Sequence, residues 1–178
     1  MRLKDKVAII TGGSRGIGFA TADAFLREGA KVAVAASSEK NAEAAVEKLK
    51  AIHPDAEVVG ISPNLGSFES VKEEFDKVEK QFGRIDILVN NAGVSESTPF
   101  TSYTEADFDR VIDLNVKGVF NATRAVVDGM IKNHSGVVLN TSSMVSISGQ
   151  PSGFAYPASK FAVNGTTISL ARELGTKG

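Results

Sequence analysis

The sequence predicts an α/β fold in which a doubly wound parallel sheet lies between two layers of helices. Short apolar or β-branched runs alternate along the chain with longer amphipathic segments that are rich in alanine, glutamate and lysine. That alternation is typical of repeated strand–helix–strand units. The short runs are apolar throughout, as expected for strands that helices cover on both faces.

The predicted strands span residues 6–11, 31–37, 57–62, 85–90 and 136–142. Helices are predicted at 17–28, 39–51, 67–82 and 105–133, and a last one follows Tyr156 and ends at Gly175 as its C-cap. No linker or repeat interrupts them, so the 178 residues are expected to form one domain.

The last predicted helix would normally be followed by a strand that helps to bury its apolar face. We therefore expect a C-terminal portion to be absent from this sequence. The alternative is a short protein whose last helix covers the edge of the sheet.

Composition restricts the function classes. A net charge of −1 with 23% charged residues gives no basic excess for binding nucleic acid or an acidic membrane. The N-terminal apolar run "VAII" is too short for a signal or spanning segment, so a cytoplasmic protein is expected. The absence of cysteine excludes disulfides and thiolate catalysis, and two histidines, His53 and His134, give little support for a metal site.

The stretch "TGGSRGIG" at 11–18 joins the first predicted strand to the first predicted helix. Gly12, Gly16 and Gly18 would let backbone N–H groups approach a pyrophosphate at the helix N-terminus, as in Rossmann-type dinucleotide sites. The loop lacks the Lys-Ser/Thr ending of a P-loop, which disfavours nucleotide hydrolysis. Tight packing of the strand on the helix is the alternative reason for such glycines.

The end of the second predicted strand indicates the type of dinucleotide. A carboxylate there would bind a ribose 2′-hydroxyl and repel a 2′-phosphate, but Ser37 and Ser38 occupy this end before Glu39. Arg15 in the glycine loop offers a cation. These features favour NADP over NAD, although a loop arginine is often simply solvated.

Tyr156 and Lys160 in "FAYPASK" lie four residues apart, and so on one face of a helix. A free phenol titrates near pH ~10, and a nearby cation favours its ionised form. Pro157 suits a first helical turn, which would place Tyr156 at the positive end of the helix dipole. An acidic tyrosine is predicted; an interface tyrosine beside a solvated lysine is the alternative.

Five motifs together resemble the short-chain dehydrogenase/reductase family, and within it the 3-oxoacyl-acyl-carrier-protein reductases. They are "TGGSRGIG", "NNAG" at 90–93, "DLNVKG" around Asn115, "NTSSM" around Ser143, and the Tyr156–Lys160 pair. The resemblance implies a Rossmann-type sheet of about seven strands, of which this chain would supply the first five. It also implies a catalytic tetrad of Asn115, Ser143, Tyr156 and Lys160.

The resemblance further implies the cofactor contacts, which comprise Gly12, Ser14, Arg15, Gly16, Ile17, Gly18, Ser37, Ser38, Asn64, Leu65, Asn91, Ala92, Gly93, Tyr156 and Lys160. The family usually has an acidic residue where this chain has Asn64, whose side-chain carbonyl can still accept the adenine amino proton. Asn90 is expected to form structural hydrogen bonds between strands.

The resemblance also suggests roles within the tetrad. Ser143, at the end of the fifth strand, would hold the substrate oxygen beside the phenol, although only family spacing selects it over Ser142. It lacks the G-x-S-x-G setting of a hydrolase nucleophile. In the family Asn115 anchors a water that links Lys160 to solvent, whereas by itself it is typical of a surface asparagine.

Two helices carry more apolar residues than one stripe each requires, which predicts a homo-oligomer, in the family a tetramer. The apolar residues of these two helices are Val111, Leu114, Val116, Val119, Phe120, Val126, Phe161, Val163, Ile168 and Leu170. Ordinary core packing is the alternative.

The predicted function is NADP-dependent oxidoreduction of a ketone or secondary alcohol, with a 3-oxoacyl thioester as the favoured substrate. A reductase of sugar, steroid or xenobiotic carbonyls, or a non-catalytic nucleotide-binding protein, is the alternative.

Overall fold

The computed structural model describes residues 1–178 and contains one five-stranded sheet. Its strands are β1 (Val7–Thr11), β2 (Lys31–Ala35), β3 (Val58–Ile61), β4 (Ile87–Asn90) and β5 (Val137–Asn140). They lie in the order β3-β2-β1-β4-β5, and every neighbouring pair is parallel. The predicted doubly wound sheet is confirmed.

Helices connect the strands. They are α1 (Gly16–Arg27), α2 (Glu39–Ile52), α3 (Phe68–Phe82), α4 (Glu105–Ile112), α5 (Gly118–Lys132), α6 (Val145–Ser148) and α7 (Ala155–Leu174). A single 3-10 turn lies at Phe100–Ser102. Gly175 is the C-cap of α7, as predicted, with a right-handed φ of −61°. None of the helices combines the length and the apolar character that crossing a membrane requires.

The prediction of one continuous helix over 105–133 is wrong at its centre. Residues Asp113–Lys117 form a π-helical segment between α4 and α5. A π turn takes in one additional residue and rotates the side chains that follow. The buried side chain of Asn115 lies within this segment.

Several helices begin where a hydroxyl side chain accepts a free backbone N–H. Ser38 accepts from Asn41 N at the start of α2, and Ser67 accepts from Ser70 N at the start of α3. Thr104 and Asp107 form a capping box at α4. The cap at Ser38 explains why β2 ends at Ala35, two residues before the predicted end.

The core has two layers because successive strand residues point to opposite faces. On one face, Val7 and Ile9 of β1 pack with Phe75 of α3 and Val126 of α5. On the other face, Ala8, Ile10 and Val34 pack with Leu26 of α1 and Leu49 of α2. These layers hold the sheet between two sets of helices.

The expectation that every strand is buried on both faces is wrong for β5. Val137 and Leu139 are about half exposed, whereas Val138 packs against the core. Strand β5 lies at the edge of the sheet, and helices cover one of its faces.

The order of the strands places a crevice between the carboxyl ends of β1 and β4. The connection from β1 leads to β2 on one side, whereas the chain continues from β4 to β5 on the other. Open parallel sheets bind their ligands at such a switch point. Most of the predicted site residues follow the carboxyl ends of strands.

Candidate active site

The glycine loop packs against the segment that follows β4. A Cβ at Gly12 would lie 2.9 Å from the Cα of Ala92, and Gly12 has a φ of +64°, which favours glycine. A Cβ at Gly18 would overlap the carbonyl of Gly12 and lie 2.6 Å from Asn91 Nδ2. Gly16 also has a positive φ, +55°, but faces open space. Gly12 and Gly18 therefore allow the loop to pack closely on the segment after β4, whereas Gly16 leaves the loop open to a ligand.

The N-terminus of α1 is open to the crevice. Its N-cap, Arg15, makes no side-chain capping bond, and the first turn contains no acidic residue. Ser14 is half-buried, and Ile17 is 72% exposed although it is apolar. Free N–H groups at a helix N-terminus bind phosphate groups well. The N-terminus of α1 could therefore hold a pyrophosphate.

Thr11 connects the glycine loop to the "NNAG" segment. Its hydroxyl accepts hydrogen bonds from the backbone N–H groups of Asn91 and Ala92, both at 3.0 Å. The Asn91 amide donates in return to the carbonyls of Thr11 and Gly12, at 3.1 and 3.2 Å. Asn91 therefore holds the loop in place through its side chain.

The predicted 2′-phosphate site at the end of β2 is partly engaged within the protein. Ser38 caps α2, and the hydroxyl of Ser37 accepts from Asn41 Nδ2 at 3.3 Å. Arg15 is exposed and forms no salt bridge or side-chain hydrogen bond with the rest of the chain. A guanidinium without an internal partner is available to an anionic group.

Asn64 and Leu65 follow β3. The side-chain oxygen of Asn64 accepts from Gly66 N at 3.0 Å, so the amide shapes its own turn while one acceptor position stays open. The carbonyl of Leu65 accepts from Asn121 Nδ2 at 2.7 Å, and its side chain packs against the core. This turn is thereby attached to α5.

Asn115 is buried, and it links three parts of the site. Its side chain exchanges two hydrogen bonds with the backbone of Val94, each 2.9 Å long, and donates to the hydroxyl of Ser159 at 3.0 Å. Ser159 in turn donates to the carbonyl of Tyr156 at 2.7 Å. The alternative prediction, that Asn115 is a surface asparagine, is wrong. Its side chain is buried and joins the segment after β4 to α7.

The amide protons of Asn115 are both used in these bonds, so they are not available to the water that the family resemblance implies. Gly93 provides the space for this arrangement. A Cβ at Gly93 would lie 3.1 Å from Asn115 Oδ1 and 3.8 Å from Lys160 Nζ.

Lys160 is 5% exposed, and its Nζ donates to the carbonyl of Thr141 at 2.7 Å. The same Nζ lies 5.8 Å from the centroid of the Tyr156 ring. Burial lowers the pKa of Lys160 below the ordinary value of a lysine, because it disfavours the charged form. The ammonium is therefore inside the site and not in bulk water.

Tyr156 lies in the first turn of α7, and Pro157 follows it, as predicted. The backbone N–H of Tyr156 donates to the Glu96 carboxylate at 3.3 Å, so an acidic side chain caps this helix. Burial, together with nearby Glu96, raises the pKa of the chain's other tyrosine, Tyr103. Tyr103 is therefore a poorer acid than a free phenol.

The two serines that the sequence could not separate have different partners. The hydroxyl of Ser142 donates to Asn164 Oδ1 at 2.7 Å and is engaged within the protein. The hydroxyl of Ser143 has one hydrogen bond, accepted from Val145 N at 3.4 Å. Ser143 is thus the serine with a hydroxyl free to bind another molecule.

Sequence reasoning missed four residues that build the site, namely Thr11, Glu96, Ser159 and Asn164. Thr11 is the first residue of the "TGGSRGIG" stretch, Ser159 precedes Lys160, and Asn164 lies one helical turn after it, so their positions beside predicted residues were the available signal. Glu96 had no such signal, because its contact with α7 spans 60 residues of sequence.

Comparison with known proteins agrees with this geometry. A family model described as "short chain dehydrogenase" matches residues 6–178. The chain is 53% identical over 175 residues to a 3alpha-hydroxysteroid dehydrogenase of Mediterraneibacter gnavus. The matched residues cover 98% of this chain and 70% of that protein. It is 41% identical over 174 residues to the 3-oxoacyl-(acyl-carrier-protein) reductase FabG of Thermotoga maritima, with coverages of 98% and 70%.

A solved structure of xylitol dehydrogenase with bound NAD+ matches with a TM-score of 0.95 at 32% identity, and covers all of this chain and 68% of that one. The matches identify an oxidoreductase of carbonyls and alcohols that uses a nicotinamide cofactor. The chain belongs to the short-chain dehydrogenase family.

Proposed function

We propose that this chain carries out NADP-dependent reduction of a ketone, and the reverse oxidation of a secondary alcohol, with Tyr156 as the proton donor and acceptor. The observation that carries this proposal is the buried ammonium of Lys160, 5.8 Å from the centroid of the Tyr156 ring. A binding module without catalysis has no use for a buried lysine beside a half-buried phenol.

The residues fit a dinucleotide cofactor. The open N-terminus of α1 would hold the pyrophosphate, the turn at Asn64 and Leu65 would contact the adenine, and Gly93 leaves room for the nicotinamide half. When bound, the cofactor supplies or accepts the hydride.

The proton step belongs to Tyr156. During reduction its hydroxyl donates a proton to the substrate oxygen, where negative charge develops, and during oxidation it accepts that proton. Lys160 places its Nζ 5.8 Å from the centroid of the Tyr156 ring, and Tyr156 lies in the first turn of α7, at the positive end of the helix dipole. Because burial lowers its own pKa, Lys160 also releases a proton more readily than a free lysine, which suits resupply of the phenol.

Ser143 would hold the substrate oxygen beside the phenol. Its free hydroxyl lies beyond the carboxyl end of β5, in the region where parallel sheets present their ligands. We assign this role to Ser143 because the hydroxyl of Ser142 already donates a hydrogen bond to Asn164.

The cofactor preference rests on charge. The end of β2 carries Ser37 and Ser38 and no carboxylate before Glu39, and Arg15 is exposed without an internal partner, so these residues would attract a 2′-phosphate and not repel it. The xylitol dehydrogenase that shares this fold binds NAD+, which makes the choice between the two cofactors a property of these few residues and not of the fold.

The substrate that we favour is a 3-oxosteroid or 3-hydroxysteroid. Apolar side chains lie exposed in the segments that carry the two proposed catalytic residues, Ser143 and Tyr156. Met144 and Ile147, after Ser143, are each 85% exposed, and Phe154, before Tyr156, is 53% exposed and packs on Phe100 at 5.2 Å between ring centroids. Such a rim suits a rigid apolar ligand, and the relative that is 53% identical is named a 3alpha-hydroxysteroid dehydrogenase.

A 3-oxoacyl thioester is the second candidate. Sequence analysis favours it, and the FabG relative at 41% identity supports it. The apolar rim suits an acyl chain too, so the two substrates differ mainly in rigidity and in the carrier.

We also propose that the protein is a homo-oligomer. Of the apolar residues that suggested it, Val111, Val119, Val126 and Val163 are core residues, as the alternative held. Phe120 on α5 and Phe161 and Ile168 on α7 are 59%, 51% and 60% exposed. Exposed aromatic and aliphatic side chains on neighbouring helices are typical of an interface.

The activity can be tested with the protein expressed from its complete reading frame. Absorbance of reduced nicotinamide is followed with a 3-oxosteroid, an acetoacetyl thioester and a panel of simple ketones. We expect kcat/KM to be highest for the steroid, and Tyr156→Phe to lower kcat by about 10²- to 10⁴-fold. A Tyr156→Phe variant with the parent rate would refute the proton donor, and a higher kcat/KM with the thioester would favour the second candidate.

The cofactor proposal has its own measurement. Dissociation constants for NADPH and NADH are compared in the parent and in Arg15→Ala. We expect tighter NADPH binding in the parent, by about 1 kcal/mol or more for a charge-assisted contact, and loss of that preference in the variant. Tighter binding of NADH by the parent would contradict the proposal.

A further inference from the structure

One face of α7 contacts the loop that carries Ser143 at two successive turns. Tyr156, Lys160 and Asn164 follow one another at intervals of four residues, so they lie on the same face of the helix. Lys160 donates to the carbonyl of Thr141, and Asn164 contacts Ser142. The third residue of this face, Asn164, has no assigned role.

Asn164 is the centre of a network that ends at Ser143. Its Oδ1 accepts from the hydroxyl of Ser142 at 2.7 Å, and its Nδ2 donates to the hydroxyl of Ser146 at 2.9 Å. Ser146 then donates to the backbone carbonyl of Ser143 at 2.6 Å. Ser146 is 4% exposed, so water cannot replace these partners easily.

Ser146 holds the backbone of Ser143, since its N–H donates to the Ser143 carbonyl at 3.0 Å in addition to its hydroxyl. The hydrogen bond of the Ser143 hydroxyl, to Val145 N, is long at 3.4 Å, so the side chain is located mainly by its backbone. The carbonyl of that same residue is the acceptor of the bond from Ser146. A shift of about 1 Å in a substrate-binding group is enough to cost roughly 10²-fold in rate.

We propose that Asn164 is a positioning residue, which acts through Ser146 to fix Ser143 relative to Tyr156. The proposal rests on the proposed function, since it assumes that Ser143 binds the substrate oxygen. One face of α7 then carries three roles, which are the proton donor Tyr156, the cation Lys160 and the positioning residue Asn164.

A purely structural role would give a different result in a double-mutant cycle. The variants are Asn164→Ala, Ser143→Ala and the two combined. Thr167→Ala is the matched control, because Thr167 lies next along α7 and accepts a hydrogen bond from Asn140 at 2.9 Å without touching the Ser143 loop.

We expect Asn164→Ala to lower kcat by about 10- to 100-fold, with an unchanged KM for the cofactor. The same change in the Ser143→Ala background should have almost no further effect, since the residue it positions is gone. Thr167→Ala should alter kcat by less than about twofold.

A fall in kcat by the same factor in both backgrounds would overturn the inference, as would an equal fall in Thr167→Ala. A Ser143→Ala variant with the parent kcat would overturn the role of Ser143 itself, and this inference with it. A parent rate in Asn164→Ala beside an impaired Ser143→Ala would overturn the inference alone.

If Asn164→Ala does not fold, Ser146→Ala provides the same test. It removes the link between Asn164 and Ser143 while it changes one small side chain. The expected outcome is again a loss of kcat that disappears in the Ser143→Ala background.

Discussion

At the scale of single residues, the glycine loop depends on the absence of one methyl group. A Cβ at Gly18 would overlap the carbonyl of Gly12 and press on Asn91 Nδ2 at 2.6 Å, so Gly18→Ala must displace the loop from the segment after β4. We expect the free energy of unfolding to fall by about 1–3 kcal/mol, the usual cost of overpacking. Cofactor binding should also weaken. Denaturant melts and cofactor titration measure the two effects.

Gly129→Ala is the matched control for that substitution. A Cβ there would lie 3.6 Å from Glu79 Oε1, an ordinary contact in the interior of α5. An alanine in a helix interior is more favourable than glycine by about 0.5–1 kcal/mol, so the control should gain stability. A loss in both variants would show that close packing at Gly18 is not the cause.

Lys160 links one residue's burial to the pH dependence of stability. Its folded-state pKa is lowered by burial, so between that pKa and the unfolded value near ~10.4 the unfolded chain binds more protons. The free energy of unfolding should therefore rise with pH across this alkaline window. At pH values below the window, the folded protein bears the full cost of the buried charge. In Lys160→Met this rise should be absent.

The measurement is a series of urea melts of the parent and Lys160→Met from neutral to alkaline pH. The methionine also removes the donor to Thr141, which shifts the whole curve but not its slope. Parallel curves for the two proteins would contradict the assignment. The variant should in addition lose most of its activity.

At the scale of elements, α7 begins where a residue from a distant loop caps it. The Glu96 carboxylate accepts from Tyr156 N at one oxygen and from Thr98 N at the other, at 3.3 and 3.1 Å. Glu96→Ala should cost about 0.5–2 kcal/mol of stability, as loss of a helix cap does, and should lower kcat because Tyr156 is less firmly held.

Glu96→Gln separates the hydrogen bond from the charge. Its side-chain oxygen can still accept from Tyr156 N, so most of the stability should return. We therefore expect kcat of Glu96→Gln to stay close to that of the parent, in contrast to Glu96→Ala. A kcat as low as that of Glu96→Ala would show that the charge of Glu96, and not its hydrogen bond to Tyr156 N, holds Tyr156 in place.

The π-helical segment shows where sequence reasoning stops. The five strands were predictable because each is a short apolar run with a clear boundary. The segment Asp113–Lys117 was not, because it is only five residues long and lies inside an apolar pattern that continues through 105–133 and is typical of one α-helix. The burial of Asn115 follows from tertiary contacts to Val94 and Ser159, which lie 21 and 44 residues away.

At the scale of the whole molecule, the residues of the candidate site are visible in the sequence as separate motifs, but the network that connects them is not. Adjacent motifs such as Tyr156 and Lys160 are visible because helical spacing brings them together. The bonds that order them, such as that of Thr11 to Asn91, join residues 80 positions apart. Only the parallel arrangement of β1 beside β4 makes those residues neighbours.

Two helices of this framework leave apolar side chains in solvent, and the proposed oligomer would cover them. Phe120 of α5 and Phe161 of α7 are more than half exposed. Phe161→Glu would place a charge in the interface, where an unpaired buried charge is strongly unfavourable. We expect light scattering coupled to size exclusion to show a smaller species than the parent protein forms.

Ile52→Glu is the control, because Ile52 is 54% exposed at the end of α2, away from both helices. It should leave the parent assembly intact. A monomeric parent would contradict the proposed oligomer, and dissociation by Ile52→Glu alone would move the interface to another face. Since α7 carries both Phe161 and the proposed catalytic residues Tyr156 and Lys160, dissociation in Phe161→Glu should also lower kcat, and the loss should lessen at high protein concentration as the assembly re-forms.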